Sequence, residues 1–432
     1  CKKDGTSGIN ELTYIIMEVS RDLKLIDPKI NLRIDSNTPI DLLELGCELT
    51  SVGLGFPQYS NDEVVIPALV KKGYSLEDAR DYTVAACWEF IIPGKGVDIV
   101  NQGAVSFPYA VDHSLSVLLK QNKFSIDLLN KEIKNNIRDQ VLNIINNRKI
   151  KTLPSPFFSI FMDGALESGM DASLSSKYHN VGIHGAGSSN AADALVVIKI
   201  IHEQLGIEGL RNLEEKKINN FTDNKYYEKL REVFPKVGNA NKIVDTELKF
   251  LFDTFADVAE ELSTEKCKIR PGSGSAQYYI WLTEKNKNSW VIEPTIGATV
   301  DGRKNGEPLA ASLAPSNGIK VNGVLSVLKS FSCIDYLRIM NGGPITIELT
   351  PSVFSSENGI KKLAQLIQYF VKIGDQQLQL NVLDVKQLED ALIHPEKHKN
   401  LIVRVWGWSG YFCELAPEYQ QHVINRHKYA LT

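Results

Sequence analysis

Two short segments carry groups suited to chemistry. The first is Ala86-Cys87-Trp88-Glu89, where a thiol and a carboxylate stand two residues apart. In an extended segment residues i and i+2 point the same way, so both side chains can face one pocket. A thiol there offers hydrogen-atom or nucleophilic chemistry, with a general acid or base beside it. The plainer reading is a small buried cysteine and a surface glutamate that happen to be close. The second segment is Val403-Arg404-Val405-Trp406-Gly407-Trp408-Ser409-Gly410-Tyr411-Phe412. A strand ending in a glycine turn within an aromatic core would look the same. Glycine has one further property. A radical centred on a backbone Cα must become planar, and the flanking amide nitrogen and carbonyl share its spin only where no side chain crowds them. Gly407 is therefore a candidate radical store, with aromatic bulk on both sides to keep water and oxygen away.

The rest of the chain has to hold these segments. Its 432 residues suit about three ordinary domains or one large α/β barrel with additions. Hydrophobic residues make up 43% and charged residues 23%, which excludes global disorder and a fibrous chain. A net charge of −4 gives no basic excess for non-specific nucleic-acid binding. No apolar run reaches the roughly 18 residues of a membrane span, and no signal peptide is read. The cysteines Cys1, Cys47, Cys87, Cys267, Cys333 and Cys413 have no CxxC or Cys/His spacing, so no metal or iron–sulfur site is expected. Reduced thiols in the cytoplasm are the default.

Apolar residues from Ile9 to Leu23 recur at helical spacing. Thr38-Pro39, Asn61-Asp62 and Ser75-Leu76-Glu77-Asp78 read as helix starts, the last resembling a capping box and its helix running to Ala85-Ala86. Cys87 to Gly103 reads as a long ordered loop. Helices are predicted near 104–122, 126–148, 189–205, 240–262 and 359–373, with strands and loops over 276–350. Gln379–Leu383, 385–394, Leu401–Trp406 and the helix from Pro417 alternate strand and helix, which argues for α/β architecture with parallel pairing. Gly182-Ile-His-Gly-Ala-Gly-Ser-Ser189 and Arg270-Pro-Gly-Ser-Gly-Ser275 read as loops first and anion cradles second. Asp301-Gly302-Arg303 reads as a turn with a surface pair, and His113, His184 and His202 as structural histidines.

Taken together, the two segments resemble the thiyl and radical loops of the glycyl radical enzymes, the pyruvate formate-lyase-like superfamily. Cys-x-Glu follows a helix, and Arg-Val-x-Gly precedes an aromatic, Ser409 and a nearby Phe412. Ser75-Leu-Glu-Asp-Ala-Arg-Asp-Tyr82, Ile296 through Ala310, Gln379-Leu-Asn-Val-Leu-Asp384, Pro395-Glu396 and Leu401 through Phe412 are similar to the family's stretches. Family chains are about twice as long, and this one, which begins at Cys1, is expected to be the C-terminal half. The resemblance implies part of a ten-stranded α/β barrel with central Cys and Gly finger loops, surrounded by helices. It places the barrel part in 1–304 and the glycine radical domain in 305–432. Gly407 would store the radical, Cys87 would become the thiyl that abstracts hydrogen from a small-molecule substrate, and Glu89 would be the acid/base. The implied reaction is a dehydratase-type C–O, C–N or C–S elimination. Formate acetyltransferase-like C–C cleavage or decarboxylation is the alternative on the same scaffold, and a catalytically silent binding or dimerisation homologue the alternative of another class. Pyruvate formate-lyase has two adjacent cysteines, whereas Ala86 precedes Cys87 here. No metal or organic cofactor would be bound permanently. A separate activating enzyme, using S-adenosylmethionine and an iron–sulfur cluster, would install the radical on Gly407 after the C-terminal domain opens transiently. A cytoplasmic homodimer without nucleic-acid or membrane partners completes the expectation. This chain departs from many dehydratases at Ala86 and Trp88, where they have Gly and Val, and at Trp408 and Gly410, where Tyr and Ala are usual.

Overall fold

The computed structural model describes residues 1–147, 153–265, 267–275, 277–286, 291–356, 358–405 and 407–427. Two blocks of strands form a wall. One contains β1 (Asn31–Ile34) and β2 (Gln58–Asn61), and two short strands, β3 (Thr83–Ala85) and β4 (Glu89–Ile91), follow as a separate hairpin. The other block is β5 (Ile99–Ser106), β6 (Val181–Ala186) and β7 (Ile269–Gly272), all parallel. The chain then returns to the first block with β8 (Ile345–Leu349) and β9 (Gln377–Val382), giving the order β1-β2-β9-β8. Within that block β1 runs with β2 and β8 with β9, while β2 and β9 are antiparallel. The amides of Asn341 and Ser273 bridge the end of β7 to the segment entering β8. A last hairpin, β10 (Ile402–Arg404) and β11 (Ser409–Tyr411), is antiparallel.

The alternation in β9 shows how the wall is built. All six residues are buried, but the two faces differ. Leu378, Leu380 and Val382 join the main hydrophobic core. Gln377, Gln379 and Asn381 lie on the other face. The core lies between the wall and its helices. Phe107 stacks edge-on against Phe252 and Phe255, tying the helix Phe107–Lys120 to Lys242–Leu262. Among the described residues no helix is long and apolar enough to cross a membrane.

Several sequence expectations change. The helix opened by Ser75 stops at Arg80 rather than Ala85-Ala86. Ser75 caps it, but Asp78 does not reach back; Lys95, Lys177 and the Tyr178 hydroxyl hold its carboxylate. The stretch Cys87–Gly103 contains two strands instead of one loop, and 104–106 continues β5. The run from Gly182 is strand β6, and the helix after it is capped by Gly187, with Ser188 and Ser189 inside. That helix extends to Ile218 across a kink at Gly206. Arg270-Pro-Gly is strand β7, whose buried Arg270 pairs with Asp98 at 2.9 Å. Asp301 and Arg303 are likewise buried, and neither forms the expected surface pair.

Candidate active site

Cys87 sits at the tip of a hairpin. β3 and β4 pair through Thr83↔Ile91 and Ala85↔Glu89, leaving Ala86-Cys87-Trp88 as a three-residue loop. Such loops place one residue in the left-handed region, and here it is Ala86, with φ 49°. The segment is therefore not extended at Cys87. Glu89 Oε2 instead accepts hydrogen bonds from the backbone N–H of Cys87 and of Trp88, both at 2.9 Å. Trp88 is buried. The hairpin hangs from the wall by its carbonyls: Gln58 donates to Cys87 O at 3.1 Å, Gln377 to Trp88 O at 3.0 Å and Arg270 to Phe90 O at 2.7 Å. The amide face of the wall thus satisfies the loop backbone, which burial would otherwise leave unpaired.

Gly407 sits at the tip of the β10–β11 hairpin and is buried. Arg426 donates to Val405 O at 2.8 Å, and Ser409 Oγ to Leu54 O at 2.8 Å. The two tips meet. A Cβ built on Gly407 would overlap Cys87 Cβ and Sγ and lie 2.6 Å from Cys87 Cα. Glycine is required there by close approach, whatever its other merits. Of the flanking aromatics, Trp408 is 39% exposed and Trp406 lies outside the described residues. Cys87 also touches a separate apolar cluster that includes Tyr278, Tyr279, Ala104 and Val405.

Glu89 is 2% exposed, and its Oε1 lies 3.0 Å from Nε2 of His184 on β6. Burial raises its pKa, but the hydrogen bond and charge of His184 and the backbone N–H of Trp88 outweigh that and hold it below the ordinary value. Glu89 is thus an ionised carboxylate in this arrangement. It accepts three hydrogen bonds out of roughly four that a carboxylate can take. Room for the imidazole comes from Gly272 and Gly274, where a Cβ would approach His184 Nδ1 to 2.7 and 3.0 Å. That Nδ1 is buried without a hydrogen-bond partner among the described residues.

The structure thus gathers Gly407, Cys87 and Glu89 at one point, and adds His184, Gln58, Gln377 and Lys29. The last reaches both hairpins from just before β1. His184 was expected to be structural. Lys29, Gln58 and Gln377 carried no motif at all, although the amides alternating with leucines in β9 were a legible sign of a buried polar face.

Comparisons with known proteins bear on the family and the fold. The family model described as "Pyruvate formate lyase-like" matches residues 1–119 and 133–281, and the one described as "Glycine radical" matches 309–413. Trans-4-hydroxy-L-proline dehydratase from Clostridioides difficile is 27% identical, over 98% of this chain and 55% of its own length. (2S)-3-sulfopropanediol dehydratase from Klebsiella oxytoca is 25% identical, over 98% and 54%. The solved structure of the glycerol-bound, B12-independent glycerol dehydratase from Clostridium butyricum superposes with a TM-score of 0.87 at 29% identity, covering 98% of this chain and 55% of that one. The chain spans about half the length of the curated relatives it matches. The strand wall with two central finger loops is accordingly part of the α/β barrel of these proteins.

Proposed function

This chain belongs to the pyruvate formate lyase-like, glycine radical family, and from that premise we propose that it is the C-terminal half of an anaerobic glycyl radical lyase of the dehydratase type. The observation that carries the reading is the contact between the Gly407 and Cys87 tips, with Glu89 buried beside them. A separate activating enzyme removes one hydrogen atom from Gly407 Cα. The radical takes the hydrogen atom of the Cys87 thiol, restoring glycine and leaving a thiyl. The thiyl abstracts hydrogen from a C–H bond of a small hydroxylated substrate, and the resulting carbon radical expels a neighbouring oxygen, nitrogen or sulfur group. Return of hydrogen from Cys87 to the product radical regenerates the thiyl, and Gly407 then takes up the radical again.

Glu89 acts as acid/base in this scheme: it takes the hydroxyl proton of the substrate radical and passes it to the departing group, which leaves protonated. Its carboxylate is ionised and keeps about one lone pair free to accept a substrate hydroxyl proton. Elimination is favoured over formate-lyase chemistry because Ala86, rather than a second thiol, precedes Cys87. The relatives named as dehydratases support the same choice. Residues 305–432 form the radical domain that opens for activation, and 1–304 the barrel part. The working enzyme is a cytoplasmic homodimer.

The test is anaerobic activation of the full-length protein followed by electron paramagnetic resonance. A doublet is expected, collapsing to a singlet in deuterated solvent as the remaining Cα hydrogen exchanges through Cys87. Gly407→Ala should give no doublet, and Cys87→Ser a doublet that persists in deuterated solvent. An activated wild-type protein without the doublet refutes the proposal.

A further inference from the structure

Hydrogen transfer between Gly407 and Cys87 needs the two hairpin tips held in contact, and one side chain spans them. Lys29 Nζ donates to the carbonyls of Ala86 and Cys87 in the cysteine hairpin, the latter at 3.2 Å, and to Gly407 O in the glycine hairpin at 3.4 Å. An ammonium has three donors and no acceptor. Here three carbonyls from two loops receive them. The side chain is only partly exposed. Burial, followed by the nearby Arg404 charge, holds its pKa below the ordinary lysine value, only partly offset by Cys87, Glu89 and Asp27. The anchors Gln58, Gln377 and Arg270 hold the cysteine hairpin, and Arg426 and Ser409 the glycine hairpin.

We propose that Lys29 is the positioning residue that docks the glycine loop onto the cysteine loop, and that its charge tunes the radical through the Gly407 carbonyl. The inference rests on the radical reading above. A Cα radical shares spin with its adjacent carbonyl, and a cation at that oxygen favours the form in which the oxygen carries negative charge. Spin density at Cα therefore falls while the loop is docked. When the domain opens, the Gly407 carbonyl leaves the ammonium, while those of Ala86 and Cys87 stay with it in the barrel part. Lys29 thus opposes undocking through the one charge-assisted hydrogen bond that crosses to Gly407 O, a kind stronger than a neutral one.

The experiment uses the full-length protein as wild type, Lys29→Met and Lys29→Arg, each activated anaerobically, with melting temperature as a check on folding. Two readouts need no substrate. One is the rate at which the doublet collapses in deuterated solvent, which reports hydrogen exchange between Gly407 and Cys87. The other is the Cα-hydrogen splitting itself. In Lys29→Met the collapse should slow on the order of 100-fold, the cost of a misplacement of about 1 Å. The splitting should widen, because spin returns to Cα. Radical installation should become faster, since the loop is released more readily. Lys29→Arg should restore part of both signals. If Lys29→Met lowers the melting temperature, Lys29→Gln, which keeps a donor but no charge, carries the same comparison. Collapse rate and splitting unchanged in a folded Lys29→Met protein overturn the clamp while leaving the radical mechanism standing. A wild-type protein with no doublet removes both.

Discussion

The pairing of Glu89 with His184 has a measurable consequence. Replacing His184 with leucine removes the Nε2 donor at 3.0 Å while keeping a side chain of similar bulk. A hydrogen bond to a charged group is worth about 1.5–3 kcal/mol. Its loss removes a leading cause of the lowered Glu89 pKa, so the value rises. Burial, which already pushes the value up, is then opposed chiefly by the two backbone N–H groups. The sign for stability follows. Glu89 has a folded-state pKa below the ordinary 4.5, so its contribution is present above pH 4.5 and is lost as pH falls through the folded value. In His184→Leu that loss begins at higher pH.

Two assays read this without a substrate. Infrared difference titration follows the protonated carboxyl band, with Glu89→Gln as the blank that identifies it. Melting temperature across the acid range follows the linkage. The wild-type band should appear only below the ordinary carboxylate range, and the His184→Leu band at higher pH. His184→Gln should fall between, because an amide donates without charge. An unmoved band in folded His184→Leu would show that the backbone donors alone set the Glu89 pKa, and the assignment of His184 would fail. In the activated enzyme the acid limb of the rate should move with the band, because a base works only when ionised.

Two further outcomes are expected. Ala86→Gly should stabilise the cysteine hairpin by about 0.5–1 kcal/mol, since the left-handed conformation costs a non-glycine residue roughly 1–2 kcal/mol and glycine's extra chain entropy returns part of it; a denaturant midpoint that does not rise argues against the φ of 49° at Ala86. Asp375 is buried, its carboxyl oxygens have no hydrogen-bond partner among the described residues, and burial raises its pKa well above 3.8. A raised acid pKa means that its contribution is intact below pH 3.8 and declines as pH rises, so Asp375→Asn should be stabilising at neutral pH by about 1 kcal/mol or more. That gain, read from thermal melts, should shrink towards pH 4; a gain independent of pH would show that Asp375 does not titrate there.

The residues proposed to react were legible because chemistry restricts their type. A Cα radical needs glycine, and a thiyl needs cysteine. Cys87, Glu89 and Gly407 therefore stood out, although Gly407 lies far along the chain from the other two. Their support was not legible, for a different reason. A backbone carbonyl accepts from any donor that reaches it, so Lys29, Gln58 and Gln377 obey no residue-type rule; they are found only when folding brings β1, β2 and β9 beneath the loops. His184 was missed for the same cause, since its partner lies 95 positions away on another strand. The extended geometry assumed for Cys87 and Glu89 failed because the hairpin turn, with Ala86 left-handed, rotates Cys87 towards Gly407 and folds Glu89 back onto the amides. The wall explains why this arrangement persists. Two irregular loops buried in a barrel expose many unpaired backbone groups. A purely apolar wall would leave them so, at about 1–3 kcal/mol each. Amides on the inner face of β2 and β9, alternating with leucines and tyrosine towards the helices, meet that demand without adding charge beside the reacting atoms. Lys29 adds charge at the junction itself, donating to Cys87 O and Gly407 O where the two tips meet, while Arg270 and Arg426 donate to carbonyls further along the two hairpins.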